Sequence, residues 1–263
     1  MKEEKEKIPF GTNEWSVATA NINKDSCSHG CKYCYASSIA FRFKRSTPDS
    51  WIKEEVDLKK VNKKFKKTDG VIMFPSTHDI TPSNLSYAIQ HLHNILSAGN
   101  EVLIVTKPHL EVIERLCDEF ADYKEQILFR FTIGSKKSKN LSFWEPSAPL
   151  YEERKAALIH AYEKGFQTSL SCEPMLDDNV EGVVNDLQDF ITETIWIGKM
   201  NLLKGRLKMN GYSDSLSLQK ADELIAMQSD EKIIALVERL KDNPKIRWKE
   251  SIKKVLIKNQ IAY

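Results

Sequence analysis

Cys27-Ser28-His29-Gly30-Cys31-Lys32-Tyr33-Cys34 sets three cysteines within eight residues at CxxxCxxC spacing. The remaining two of the five, Cys117 and Cys172, are remote, so paired disulfides fit poorly and metal ligation in a reducing compartment fits well. Three thiolates on one loop hold three irons of a 4Fe-4S cubane and leave the fourth iron open. An open iron can chelate the amino and carboxylate groups of S-adenosylmethionine, and an electron passed to the sulfonium then yields a 5′-deoxyadenosyl radical. Two blander readings stay beside this one. A structural zinc site of Cys27, Cys31, Cys34 and His29 would need ligands separated by a single residue, below the usual spacing. A redox pair made of Cys31 and Cys34 leaves Cys27 unexplained. His29 reads as a loop or supporting residue, and the Tyr33 ring stands where it could stack near adenine.

Outward from that loop, short apolar runs alternate with helical periodicity, the signature of βα units. Strands are predicted at Trp15 to Ala20, Val71 to Phe74, Val102 to Thr106, Ile127 to Ile133, Gln167 to Ser171 and Thr194 to Ile197. One helix shares a face through Val112, Ile113, Leu116, Cys117 and Phe120, and another through Leu150, Ala157, Leu158 and Ala161, with Gly165 as its stop. Six parallel strands with outer helices predict an α/β fold, a partial (β/α)6 TIM-like barrel, with its functional residues at the C-terminal strand ends. Helical patterns at Leu224 to Leu240 and Trp248 to Lys258 are expected to close its open side. The expected organisation is one domain over 1–263, with a core of about 15–200 and a C-terminal helical extension of about 211–263.

Length and composition agree: 263 residues suit one barrel-sized domain, and 41% apolar with 29% charged residues is globular. No run of about 18 apolar residues marks a membrane span, and MKEEKEKIPF lacks the apolar stretch of a secretion signal, so a cytoplasmic location without membrane contact is expected. A net charge of +2 lacks the footprint of a protein gripping many phosphates, so a small-molecule substrate is expected and nucleic acid is not. The six lysines between Lys59 and Lys67 read as a solvated face, with contact to a polyanion as the alternative.

The cysteine motif, together with segments spread over residues 15–175, resembles the radical S-adenosylmethionine superfamily and, within it, the spore-photoproduct-lyase-like branch. These segments are Cys34-Tyr35, Ser76-Thr77-His78-Asp79-Ile80, Val105-Thr106-Lys107, Phe129 to Ser135, Glu145-Pro146 and Arg154, in the same order. The resemblance implies Cys27, Cys31 and Cys34 as cluster ligands. It implies Lys107 and Ser135 on the carboxylate or ribose of S-adenosylmethionine, with Tyr33, Ser76, Thr77, Asp79 and Thr132 around its pocket and Glu145 on ribose hydroxyls. Tyr33 and Tyr35 match the branch's radical-relay tyrosines. Ser76 stands where photoproduct lyases carry a hydrogen-donating cysteine; an O–H bond is far stronger than an S–H bond, which turns expectation away from DNA repair. Cys172, ending the fifth strand, is the alternative donor, and a buried apolar role is the competing reading.

The activity expected from the resemblance is reductive cleavage of S-adenosylmethionine followed by hydrogen abstraction from a small nucleobase-type substrate. A reductant such as flavodoxin or ferredoxin would be the partner. Compact members of this branch without the donor cysteine include queuine lyases, which implies a lyase of queuine salvage releasing 7-aminomethyl-7-deazaguanine, with His78, Trp144, Glu173 and Asp177 around the base. A radical enzyme acting on DNA or tRNA, and an iron-sulfur sensor without catalysis, are the rival expectations.

Overall fold

The computed structural model describes residues 11–262, so the stretch MKEEKEKIPF lies outside the described residues. Seven strands, β1 (Ala18–Thr19), β2 (Val71–Phe74), β3 (Glu101–Thr106), β4 (Ile127–Thr132), β5 (Gln167–Cys172), β6 (Ile195–Ile197) and β7 (Ile246–Trp248), form one sheet in sequence order. Every neighbouring pair is parallel, and β1 and β7 remain unpaired with each other, so the sheet curls into an open half-barrel. The helices are α1 (Tyr35–Arg42), α2 (Pro48–Trp51), α3 (Leu58–Val61), α4 (Leu85–Leu96), α5 (Leu110–Glu119) and α6 (Ser138–Trp144). They continue as α7 (Tyr151–Glu163), α8 (Val180–Leu187), α9 (Leu203–Met209), α10 (Ser215–Met227), α11 (Asp230–Leu240) and α12 (Glu250–Lys258).

The partial-barrel expectation holds, with one strand more than the six predicted. Ile246–Trp248 pairs with Ile195–Ile197 and ends where a helix was expected to begin. The first strand is shorter than predicted because Gly11–Glu14 forms a 3-10 turn and Trp15 leaves the sheet to enter the barrel. The pattern from Leu224 to Leu240 is two helices, interrupted where Gln228 turns its side chain to Met200 and Met175 and Ser229 caps α11. Leu150 is exposed at the N-cap of α7, whereas Arg154 takes a place on that helix's buried stripe. Among the described residues no helix is long and apolar enough to cross a membrane. The six lysines of the Lys59 to Lys67 stretch are all exposed.

Strand alternation decides which side chains reach the lumen. Arg130 pairs in register with Ser169, Thr132 with Ser171, and Ser171 with Trp196, so these residues share the concave face. Phe129, Phe131, Leu170 and Cys172 take the opposite parity and join the hydrophobic core beneath the helices. That parity corrects the placement of Cys172: its thiol belongs to the core, and burial raises its pKa.

Candidate functional site

The cysteine loop lies between β1 and α1, at the C-terminal mouth of the sheet where barrel chemistry is placed. Cys34 caps the N-terminus of α1, with its sulfur accepting from the Ser37 N–H at 3.4 Å. All three loop cysteines are free thiols. Burial pushes the Cys27 thiol up to about 12, with Asp79 and Cys34 adding to it. Burial likewise raises Cys31 well above the ordinary value, against the opposing pull of Lys107.

Two buried charge networks support the loop. In the first, one Asp79 oxygen accepts from the Thr106 hydroxyl at 2.5 Å and the Lys107 N–H at 2.7 Å. The other faces His29 Nδ1 at 3.1 Å and Lys107 Nζ at 3.5 Å. His29 Nε2 meets His109 Nε2 at 3.0 Å, and His109 Nδ1 lies 3.6 Å from Glu153. Burial would lower the Lys107 pKa, but the neighbouring Cys31, Asp79 and Glu145 outweigh it and hold it above the ordinary lysine value. In the second, Arg154 donates to Glu145 at 2.5 Å, to the Thr132 carbonyl at 3.0 Å and to the Pro149 carbonyl at 2.7 Å, while the Tyr33 hydroxyl donates to the other Glu145 oxygen. Burial would raise the Glu145 carboxyl, yet Arg154 and Lys107 hold it below its usual range.

These contacts separate the expected site residues into two groups. Tyr35, Ser76, Thr77, Lys107 and Glu173 stand around the mouth with some exposure. Tyr35 donates its hydroxyl to the Ser76 carbonyl, and Asn21 holds the Ser76 hydroxyl at 2.8 Å. Glu173 lies 3.3 Å from Lys249, and burial, against the pull of that ammonium, raises its carboxyl above the ordinary value. Tyr33, Asp79, Thr132 and Glu145 form the supporting floor. Glu145, 1% exposed, is engaged at both oxygens, by the Tyr33 hydroxyl and by Arg154, and braces the loop.

Four further expected site residues already make contacts within the protein. The fully buried Ser135 hydroxyl donates to Asp177 and accepts from the Lys137 N–H, so it has no proton left for a ligand. Asp177 receives that hydroxyl, and its other oxygen accepts from the Asn179 N–H at 2.8 Å; it organises its own loop. His78 accepts from the Ile22 N–H at 3.0 Å and donates to the Asp79 carbonyl at 2.9 Å, which consumes both ring nitrogens. Trp144 is buried against Phe143, and its carbonyl receives the Lys32 N–H at 2.9 Å.

The sequence reading gave no role to Arg206 or Asn210, both on or next to α9, or to Lys249. Burial lowers the Arg206 guanidinium below its ordinary value, against the opposing pull of Cys34, Glu173, Tyr35 and Tyr33. Arg154 and Asn210 had a visible signal: each is a polar residue on an otherwise apolar helical stripe.

No protein-family model matches the chain. It is 26% identical to an uncharacterized protein, ORF301, of Acidianus two-tailed virus over 212 residues, covering 74% of this chain and 70% of that one. Among solved structures it is similar to a spore photoproduct lyase mutant with dinucleoside spore photoproduct, with a TM-score of 0.57 at 14% identity over 91% of this chain and 78% of that one. That likeness shows the fold.

The donor chemistry of the loop suits an iron-sulfur cluster, because three free thiols are gathered and no fourth cysteine reaches them: Cys117 and Cys172 are both buried in the core. Cys27, His29 and Asp79 also bring one ligand atom each within 4.8 Å of one another, a mixed set of the kind zinc accepts. The Asp79 oxygens are engaged by Thr106, Lys107 and His29, so this trio is built as a hydrogen-bonded brace.

Proposed function

We propose that the chain is a radical S-adenosylmethionine enzyme acting on a small nucleobase-type substrate. The observation that carries this is the set of Cys27, Cys31 and Cys34 thiols, all free and on one loop at the barrel mouth, with Lys107 held at the same mouth by Asp79. When bound, a 4Fe-4S cluster with S-adenosylmethionine supplies the reducing electron and the radical precursor.

The protein's own groups then have separable tasks. Asp79 and His29 hold the loop and orient Lys107, whose ammonium keeps donors for a carboxylate because its contact with Asp79 is long, at 3.5 Å. Tyr35 and Asn21 fix the β2 end around Ser76, setting one wall of the mouth. Glu173, raised toward neutrality by burial, and Arg206 are the polar groups left to read a base edge. A low-potential one-electron donor such as flavodoxin or ferredoxin is the partner this chemistry requires, in a reducing cytoplasm.

Queuine lyase remains the specific proposal for the substrate. With His78, Trp144 and Asp177 committed to the protein itself, it rests on Glu173, on Ser76 in the donor position and on the small net charge of +2. The test is anaerobic incubation of reduced protein and S-adenosylmethionine with queuine or with irradiated DNA, followed by mass spectrometry. Release of 7-aminomethyl-7-deazaguanine, reduced by Glu173→Gln, is the expected result; repair of DNA with queuine untouched would overturn it.

A further inference from the structure

Asn210 lies at the C-terminal end of α9, about 180 residues from the cysteine loop, yet its carboxamide is spent on that loop. Its Nδ2 donates to the Lys32 carbonyl at 2.9 Å and to the Cys34 carbonyl at 3.0 Å. Its Oδ1 faces the Ser37 hydroxyl at 3.0 Å and the Ser38 hydroxyl at 2.9 Å, each of which shares its one proton between Asn210 and the Cys34 carbonyl, at 3.1 Å and 2.8 Å. The orientation of the amide is fixed by chemistry, because two carbonyls can be met only by the NH2 group. Asn210 is buried, so these four contacts form where water does not compete.

The helix that carries it is held in place independently. Leu203 and Leu207 anchor α9 in the core, and the chain enters it through Leu202 in the left-handed region at φ 53, a conformation disfavoured for a leucine. Gly211, at φ +87, ends the helix directly after Asn210. The other side of the same loop is pinned by the Lys32 N–H on the Trp144 carbonyl, and Lys32 Nζ stands 3.8 Å over the Phe143 ring and 5.2 Å over Tyr212. The segment from Cys31 to Cys34 is therefore gripped from α6 on one side and from α9 on the other.

We propose that Asn210 is a positioning residue for the cysteine loop: by fixing the Lys32 and Cys34 carbonyls it holds Cys31 and Cys34 in the aim an iron-sulfur cluster requires. This rests on the cluster reading above.

The test compares Asn210→Asp with Asn210→Gln in the full chain after anaerobic reconstitution. Aspartate preserves shape and the acceptor contacts but turns a second oxygen toward two carbonyls, whereas glutamine keeps the donor pair on a longer stem. The readouts are the rate of iron release to a chelator and the electron paramagnetic resonance signal of the reduced cluster, with thermal unfolding of the metal-free chains as the control. Asn210→Asp is expected to release iron about ten-fold faster with an altered signal, and Asn210→Gln to recover most of the difference. Release within two-fold of the parent for Asn210→Asp, about the spread of such rates, would reduce Asn210 to a packing residue and overturn the proposal. Should Asn210→Asp not fold, Asn210→Ala decides: about three-fold faster release supports the clamp, and an unchanged rate overturns it. A parent chain that takes up no iron would instead sink the cluster reading itself, which keeps the two failures apart.

Discussion

One buried set of charge lies at the mouth of the barrel and another in its lumen, with Glu173 and Lys249 meeting between them at 3.3 Å, and the two are built differently. At the mouth, Arg154 is matched by Glu145 at 2.5 Å and Lys107 faces Asp79 at 3.5 Å, with the cysteine thiols left free among them. Deeper in the lumen, Arg130 is 4% exposed, bonds Ser169 at 2.9 Å, and lies 4.7 Å and 5.4 Å from the Trp15 and Trp196 ring centroids. Among the described residues no carboxylate forms an ion pair with it, and burial lowers its pKa to about 9. Lys249, 4.0 Å over Trp15, adds a second cation to this stack but is paired with Glu14 at 2.5 Å. Burial of charge does not by itself mark a site. What distinguishes the mouth is that its ion pairs brace groups that remain able to ligate, whereas the lumen stack fills space with indole faces.

The sharpest way to break this comparison is at the thiols. Cys31→Ala is expected to remove essentially all of the about four irons per chain held after reconstitution, with the brown colour, while the metal-free chain still folds. Retained iron in that variant would show that the loop is not the ligand set.

Next in size is the mouth's own ion pair. Arg154→Met leaves the Glu145 carboxylate buried without its cation, and thermal unfolding should report a loss of about 3–5 kcal/mol. The pH dependence follows from the sign of the Glu145 shift. A carboxyl held below its unfolded value of about 4.3 contributes stability above that pH and loses it as pH falls toward the lower folded value. The stability gap between the parent and Glu145→Gln should therefore narrow below about pH 5. A constant gap down to the unfolding limit would mean that Glu145 is not ionised in the folded chain.

Lys107→Ala should weaken S-adenosylmethionine binding about ten-fold by titration without loss of the cluster, since one charge-assisted contact is removed. Unchanged affinity would take Lys107 out of the pocket and leave it as a counter-charge for Asp79.

The smallest effect is expected at the lumen. Arg130→Met exchanges an unpaired guanidinium for an apolar chain between two indoles, so stability should change by about 1 kcal/mol or less and iron uptake not at all. A variant that folds normally yet loses iron would erase the distinction between the two regions.

Much of the fold was legible because strand and helix periodicities alternate from Val71 to Ile197, and the cysteine spacing named the loop. The short β7 was not: Ile246–Trp248 follows Pro244 with too few residues to show a period. The internal partners of Ser135, Asp177 and His78 were not legible for a different reason. A polar side chain near a strand end looks the same in sequence whether it meets a ligand or another residue, and Ser135 meets Asp177 across 42 positions. Cys172 was readable in principle, since it shares strand parity with Leu170. Asn210 carried its signal as a polar residue on the stripe of Leu203 and Leu207, but its target at Lys32 and Cys34 comes only from the tertiary fold.

The most direct measurement is formation of 5′-deoxyadenosine by the anaerobically reconstituted, chemically reduced chain supplied with S-adenosylmethionine. The expected result is 5′-deoxyadenosine accompanied by methionine, dependent on reductant and absent from Cys31→Ala. Stoichiometric zinc without iron, or an intact cluster that neither binds nor cleaves S-adenosylmethionine, would contradict it.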